Sequence, residues 1–360
     1  MNEFKNAELI KGIIEKVSKY RLTDLNLMHA CGTHQETLVK HGLDRLFSAI
    51  GITIKSGPGC PVCITTAREF AEVMALAEEG KIISTYGDCL KVPINGKSLM
   101  NLREEGYDIR VVYSVEDAVS IAKTENTDVV FMAIGFETTA PNTAVVLSSS
   151  DLPKNFFVYS CHRFFVPAMI KLLEMGENRI QGLIEPGHVS AIIGTKPYEE
   201  IRNRFGIPQV ISGFEPLDMS ISIYMLIRQH LEADPRVENE YSRVVAPKGN
   251  TRAIALIQNV FETADIDWRG FPVIPDSLMK IKENFSAHDA KKQFEKNLSR
   301  VEFRQDPLEK NCRCGEVLRG LIKPSECPLF GKVCTLDNPV GACMVSVEGT
   351  CKIQLEFSGI

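Results

Sequence analysis

The chain has 360 residues, 44% hydrophobic and 24% charged, with 41 basic against 46 acidic side chains and a net charge of −5. That length exceeds one ordinary core and predicts two or three globular domains. No basic run stands out and no apolar run approaches the roughly 20 residues of a membrane span, so neither nucleic acid nor a membrane is an expected partner. Glu3, Lys5, Glu8 and Lys11 interrupt the N-terminus, which does not read as a signal peptide, and a cytoplasmic location is expected.

Residues 4–20 read as an amphipathic helix, with Leu9, Ile10, Ile13, Ile14 and Val17 at helical spacing. From residue 25 short apolar runs alternate with helices. LNLMHA, GITIKS, KIISTYG and IRVVYS read as buried strands, and TAREFAEVMALAEEG as a helix between them. The alternation starts again near residue 116. DVVFMAIG, NFFVYSC and PQVISGF are strands, GLIEPG is a shorter one, and PAMIKLLEMGE and YEEIRNRFG are helices. A long helix follows Met219, to about Glu232. Beyond it AIALIQNVFETAD reads as helix, RGFPVIPDS as loop and HDAKKQFE as a polar segment. The rhythm predicts an α/β protein with two doubly wound, Rossmann-like parallel-sheet domains and a third, mostly helical or irregular domain. The expected division is 1–24, a helix packing on the third domain; 25–115, the first α/β domain; 116–235, the second; and 236–360, the third.

The segments that follow the strands carry chemistry: CGTH, GPGCPVC, YGD, GFETTAP, SCHR, EPGHVS and GFEPLD. In open parallel sheets ligands bind beyond the carboxyl ends of the strands. Two sheets facing one another would bring these loops to one cleft.

Eleven cysteines in a long chain point to metal or redox chemistry rather than a disulfide scaffold. Cys31, Cys60, Cys63, Cys89 and Cys161 lie in the first half, and six more fall between Cys312 and Cys351. Cys312, Cys327, Cys334 and Cys351 are separated by fourteen, six and sixteen residues. Four thiolates hold an iron–sulfur cluster or a structural zinc; zinc prefers two close pairs, so this dispersed set favours a cluster. Cys314 and Cys343 are spare thiols able to replace one of the four.

Cys31 and His34 sit at a strand-to-helix turn. With Thr33 as the cap, a thiolate there is expected to have a lowered pKa and to serve as nucleophile or metal ligand, with His34 as second ligand or base. In GPGCPVC, Pro61 suits the first position of a helix, which puts Cys60 at its N-terminus and Cys63 one turn in. This is the geometry of a redox dithiol; a metal pair and a plain turn stay open. His162 and His188 are lone loop histidines, and Glu137 and Asp88 are candidate acid–base or capping groups. The chain has no Walker-type phosphate loop and no Gly-rich dinucleotide fingerprint.

Taken in order, HACGTH, SGPGCPVC, AIGFETTAP, EPGHVS, SGFEPLDM and the C-terminal CRCGEVLRG…CPLFG…PVGACMVSVEGTC resemble the HypD family, maturation factors of nickel–iron hydrogenases, over residues 25–351. The resemblance implies a four-iron, four-sulfur cluster in a C-terminal domain, held by Cys312, Cys327, Cys334 and Cys351. It implies Cys31 as ligand of a transient iron bearing cyanide and carbon monoxide, with His34 close by; His188 is a further candidate site residue. Cys60 and Cys63 would be the dithiol that exchanges electrons with the cluster. The implied partners are a small HypC-like chaperone, HypE as cyanide donor with HypF, and the hydrogenase large-subunit precursor. Such a protein is an assembly scaffold with redox activity. The alternatives are an iron–sulfur thiol–disulfide oxidoreductase unrelated to hydrogenase, or a zinc-stabilised binding scaffold. The family often has Glu after CGTH where this chain has Gln35, and GDCLKVP adds Cys89. No role is assigned to Cys89, Cys161, Cys314 or Cys343.

Overall fold

The computed structural model describes residues 6–302 and 310–357. All eight strand-like runs before residue 235 form strands: β1 (Leu25–His29), β2 (Ile52–Ser56), β3 (Ile82–Thr85), β4 (Ile109–Val111), β5 (Val129–Gly135), β6 (Phe156–His162), β7 (Gly182–Pro186) and β8 (Gln209–Ser212). With β9 (Val237–Asn239) they build two parallel sheets, ordered β2-β1-β7-β8-β9 and β4-β3-β5-β6. Every residue of β5, β6 and β7 is buried. Helices cover such strands on both faces, which is why they read as apolar runs rather than alternating ones.

The strand order corrects the expected boundary at 115/116. β1 pairs with β2 and with β7, whereas β3 pairs with β4 and β5. The first sheet is therefore discontinuous in sequence, and β3–β6 form an inserted second sheet. A strand–helix–strand unit has the same local pattern whichever sheet receives its second strand, so periodicity does not locate the switch. Here the chain changes sheets between β2 and β3, through the helix Ala67–Glu78, and returns before β7.

Two further expectations are corrected. The N-terminal helix, Ala7–Ser18, does not pack on the third domain. It lies on the helix Pro216–Glu232 of the first sheet, where Ile10 and Val17 join a core with Leu217, Ile223 and Ile227. Residues 236–302 do not belong with the C-terminal cysteines either. β9 completes the first sheet, and the helix Thr251–Val260 runs directly into β10 (Phe261–Asp267), antiparallel to β11 (Val273–Ile281). Ile257, Phe261, Met279 and Ile281 close the core of the second sheet against Val129, Phe131 and Val158. This hairpin was hidden because most of β10 is exposed and polar, so no apolar run announced it. HDAKKQFE supplies a short helix, Ala290–Gln293, beside β6. The cysteine-bearing segment 310–357 contains only short helical pieces among its described residues, such as Cys314–Leu318, Ala342–Met344 and Thr350–Phe357.

Candidate functional site

The two sheets meet at a cleft of about 320 Å³, lined by the loops after β1, β2, β3, β5 and β7 and by Ser346–Glu348. Five of the seven strand-end loops thus converge, as expected for parallel sheets. The SCHR and GFEPLD loops do not line it. Cys31 and His188 both line the cleft, with Asp88 among the other walls. Asp88 Oδ2 accepts from the Ser346 hydroxyl and the Val347 N–H, each at 3.1 Å, and so ties the C-terminal segment to the second sheet.

Cys31 is itself the N-cap of the helix Gly32–Lys40, in extended conformation and without a side-chain capping bond; Thr33 lies inside the first turn. Close packing surrounds it. A Cβ on Gly32 would overlap Glu348, and one on Gly59 would overlap the backbone of Ala30 and Cys31. Only 8% of Cys31 is exposed. Burial, then the Glu348 carboxylate, push its thiol up to about 11 against the weaker opposing pull of the His34 and Thr33 polar groups. The expected lowering by the helix end is overturned because desolvation of the thiolate outweighs it. Burial, then Asp88, raise the Glu348 carboxyl itself to about 7.

His34 does not line the cleft. It is fully buried, neither ring nitrogen has a hydrogen-bond partner, and its ring lies 5.2 Å from that of Phe214. Burial, then the neighbouring His29, push its pKa down to about 3. His188 stacks on the same Phe214 ring at 4.0 Å while remaining open to solvent. His29 completes the group. Its Nδ1 accepts from the Cys31 N–H at 3.5 Å, so Nε2 carries the proton and donates to Gln35 Oε1 at 2.8 Å. The Cys31 N–H therefore sets the tautomer of His29, and Gln35 accepts its N–H. His29, Phe214 and Glu348 all stood inside recognised motifs but were not singled out. The available signal was position: the last residue of a strand before Cys31, an aromatic after a strand, and an acid three residues before Cys351.

Cys60 and Cys63 are joined in a disulfide, with Cα atoms 5.2 Å apart. Pro61 takes the first position of the short helix Pro61–Ile64, and Cys60 is its N-cap, its sulfur accepting from the Cys63 N–H at 3.2 Å. Both cysteines are buried; Pro61 and Val62 are the residues of this helix that line the cleft. Its far end is held by the Arg269 N–H on Ile64 O, at 2.8 Å. The next helix begins with a Thr66–Glu69 capping box, and Glu69 is gripped by both oxygens, at 2.7 and 2.6 Å, by the fully buried Arg163 of the SCHR loop. Burial raises the Glu69 carboxyl, but the charges of Arg163 and Lys291 and the bonds from Arg163 and Thr66 outweigh it and hold it at about 2. His162, the neighbour of Arg163, is a structural residue, its Nε2 2.9 Å from Thr143 Oγ1.

All six C-terminal cysteines border one small void: Cys312, Cys327, Cys334 and Cys351 together with Cys314 and Cys343. The sulfurs of Cys314 and Cys343 lie 2.7 Å apart. Hydrogen bonds from Cys312 and Cys343 lower the Cys314 thiol and raise their own. Among the described residues no three His, Cys, Asp or Glu side chains close on a single ion; the sulfurs stand around the void instead. The Ala342–Met344 turn, which contains Cys343, packs on the Pro61–Ile64 helix.

Residues 6–358 match the family model described as HypD, hydrogenase formation hypA family. The chain belongs to the HypD family. A protein of Methanocaldococcus jannaschii named for hydrogenase expression and formation is 42% identical over the full length of both chains. The hydrogenase maturation factors HypD2 of Bradyrhizobium diazoefficiens and HypD of Cupriavidus necator are 41% and 40% identical, covering 97% and 99% of this chain and 94% and 96% of their own. Among the described residues of this HypD chain, no helix is long and apolar enough to cross a membrane.

Behind the HypD cleft lie two buried acids. Glu137 Oε1 accepts from the Phe165 N–H at 3.1 Å, while its Oε2 and the Oε1 of Glu185 have no partner. Burial raises Glu137 to about 7 and Glu185 to about 8. Burial holds the proton on both beyond the ordinary carboxylate pKa, so the stability they support is present below that pKa and is lost as pH rises from it towards 7 for Glu137 and 8 for Glu185. The buried, low-pKa His29, His34 and His162 act oppositely, losing stability as pH falls below their ordinary value of 6.5. The acids are therefore best read between pH 6.5 and 8. Glu185→Gln should already melt above wild type at the lower limit, and the difference should widen towards the upper. A constant difference in Tm across that range would show that Glu185 is not held neutral.

Proposed function

We propose that this HypD protein, with a small HypC-like partner, is the scaffold and redox component on which the Fe(CN)2CO unit of a nickel–iron hydrogenase is assembled. It takes cyanide from a HypE-type donor and passes the finished unit to the large-subunit precursor. The observation that carries this reading is the course of residues 343–348. Cys343 walls the thiol void, its turn packs on the Cys60–Cys63 helix, and Ser346–Glu348 wall the cleft that holds Cys31. An anchoring thiol, a disulfide and a thiol set are thereby linked by six consecutive residues.

In this reading Cys31 anchors the iron cargo. A metal ligand is the thiolate, so loading displaces the Cys31 proton. Ile134, Phe136 and Val189 give the cleft apolar walls against water. His188 stands at its open side, and His34 and His29 back the Cys31 turn.

The C-terminal thiols fit a [4Fe–4S] cluster. The donor set is soft, Val340 donates its N–H to the Cys334 sulfur at 3.3 Å, and a Cβ at Gly341 would come within 2.7 Å of Cys312 Sγ. Cys312, Cys327, Cys334 and Cys351 would hold it, leaving Cys314 and Cys343 as an adjacent thiol pair. When bound, such a cluster supplies electrons one at a time. Opening the Cys60–Cys63 disulfide takes up two electrons and two protons, giving two thiols.

Anaerobically purified protein should contain ~4 iron and ~4 sulfide per chain, and Cys327→Ala or Cys334→Ala should lose both with the visible absorbance. Full iron and sulfide in both variants would replace these ligands by Cys314 or Cys343. Zinc in place of iron and sulfide would end the redox reading and leave a binding scaffold.

A further inference from the structure

Hydrogen-bond donors are unevenly placed around the Cys31 cleft. Among the described residues no lysine or arginine lines it, so an anionic ligand meets no fixed positive charge there. The side chains able to donate are Tyr86, Thr138, Thr139, Ser346 and His188. Three of these are turned elsewhere. Tyr86 packs edge-on against Phe131, 5.6 Å away in the core of the second sheet. Ser346 donates to Asp88. The Thr139 hydroxyl is pressed onto the end of β5, where a Cβ on Gly135 would overlap it, and it points at the carbonyls of Ile134 and Phe136, each at 3.4 Å. Two donors remain. Thr138 is exposed, and its hydroxyl has no partner among the described residues. His188 has none either; its ring is held by the stack on Phe214, and burial lowers its pKa, leaving a neutral imidazole with one N–H. Thr138 follows β5 of the second sheet and His188 follows β7 of the first, so each side of the cleft supplies one. Their neighbours Ile134, Phe136 and Val189 line the cleft with side chains that donate nothing.

We propose that Thr138 and His188 are the residues that tell cyanide from carbon monoxide: each donates to one cyanide nitrogen of the iron unit, and the Ile134, Phe136 and Val189 wall receives the carbonyl. The proposal rests on the function proposed above and adds how the cleft orders the two kinds of ligand. Bound cyanide ends in a negatively polarised nitrogen lone pair, which takes a charge-assisted hydrogen bond; bound carbon monoxide is a poor acceptor. Two donors match two cyanides. A carbonyl placed against either donor leaves that donor unpaired in a closed cleft, and a cyanide placed against the apolar wall leaves its nitrogen without water or a donor, so both exchanged arrangements cost free energy. Neutral donors also hold an anion less tightly than a guanidinium would, as suits a unit that must be passed on.

The test is infrared spectroscopy of the anaerobically purified complex with the HypC-like partner, loaded with its iron unit. Spectra are taken at pH 8, above the value of about 7 to which Glu348 is raised, so that this carboxyl does not donate. Thr138→Val keeps the shape and removes the hydroxyl; it should move one cyanide band to lower frequency and the carbonyl band less. His188→Phe keeps the stack on Phe214 and removes the N–H; it should move the other cyanide band. Thr138→Ser should restore the wild-type spectrum, and Thr263→Val, on the distant β10–β11 hairpin, should leave it unchanged. Exchange into heavy water should shift both wild-type cyanide bands and, in each variant, only the band that keeps its donor. If Thr138→Val fails to load the unit while Thr138→Ser loads it normally, the hydroxyl is required and the proposal stands. Cyanide bands unmoved in both Thr138→Val and His188→Phe, an equal shift in Thr263→Val, or failure of Thr138→Ser to load would overturn the proposal and leave the assembly role intact. Wild-type complex without cyanide and carbonyl bands would overturn the assembly role, and the proposal with it.

Discussion

Cys31→Ser should fold, keep its C-terminal iron and sulfide, and carry no iron–cyanide unit. Serine is close to cysteine in size, and at the N-cap it can make the side-chain bond that Cys31 does not make, so stability should change by no more than about 1 kcal/mol. The six C-terminal thiols surround a different void and do not include Cys31. What serine lacks is a soft sulfur for low-spin iron. Infrared spectra of the variant bound to its HypC-like partner should therefore lack the cyanide and carbonyl bands, and the hydrogenase precursor should stay unprocessed. A Cys60→Ser variant separates anchoring from electron supply: it should keep the C-terminal iron and stall before the ligand set is complete. Normal bands and normal processing in Cys31→Ser would remove Cys31 from the centre of the mechanism.

Arg163→Met should be strongly destabilising, by about 3 kcal/mol, because it leaves the buried Glu69 carboxylate with only the partly exposed Lys291, at 3.5 Å, as a cation. The pair is inaccessible, at 0% and 5% side-chain exposure, and Glu69 also caps the helix that follows the disulfide. Replacing both partners by apolar residues, Arg163→Met with Glu69→Leu, should recover much of the loss, since no isolated charge then remains. Denaturant midpoints for the two single variants and the double variant test this. A loss below about 1 kcal/mol in Arg163→Met would mean that solvent reaches Glu69. The acid limb gives a second reading. The Glu69 carboxyl is held near 2, so the stability it contributes is present above the ordinary carboxylate pKa and is lost as pH falls towards that value. Glu69→Gln should flatten that limb.

The family, the eight strands and the loops that bear Cys31, Cys60, Cys63 and His188 were legible in the sequence for a physical reason. Buried parallel strands must be apolar throughout, and the turns after them need Gly and Pro, so strand and loop each leave a local mark. The clustering of the C-terminal cysteines is likewise a property of spacing. Other features have no local mark. Pairing of β1 with β7 rather than β3 is a choice between two equally apolar neighbours, and β10–β11 escaped notice because its outer face is polar. Whether the Cys31 thiol titrates high or low depends on how much water and which carboxylate reach it. The capping position favoured a low value, and burial, with the Glu348 carboxylate second, reversed it. His34 reads like a cleft histidine by its distance from Cys31, yet one turn of helix carries it behind the cleft onto Phe214. The sequence by itself determined which groups the protein possesses. The tertiary structure decided which of them meet, because desolvation, ring stacking and the meeting of distant segments depend on neighbours that no local pattern contains.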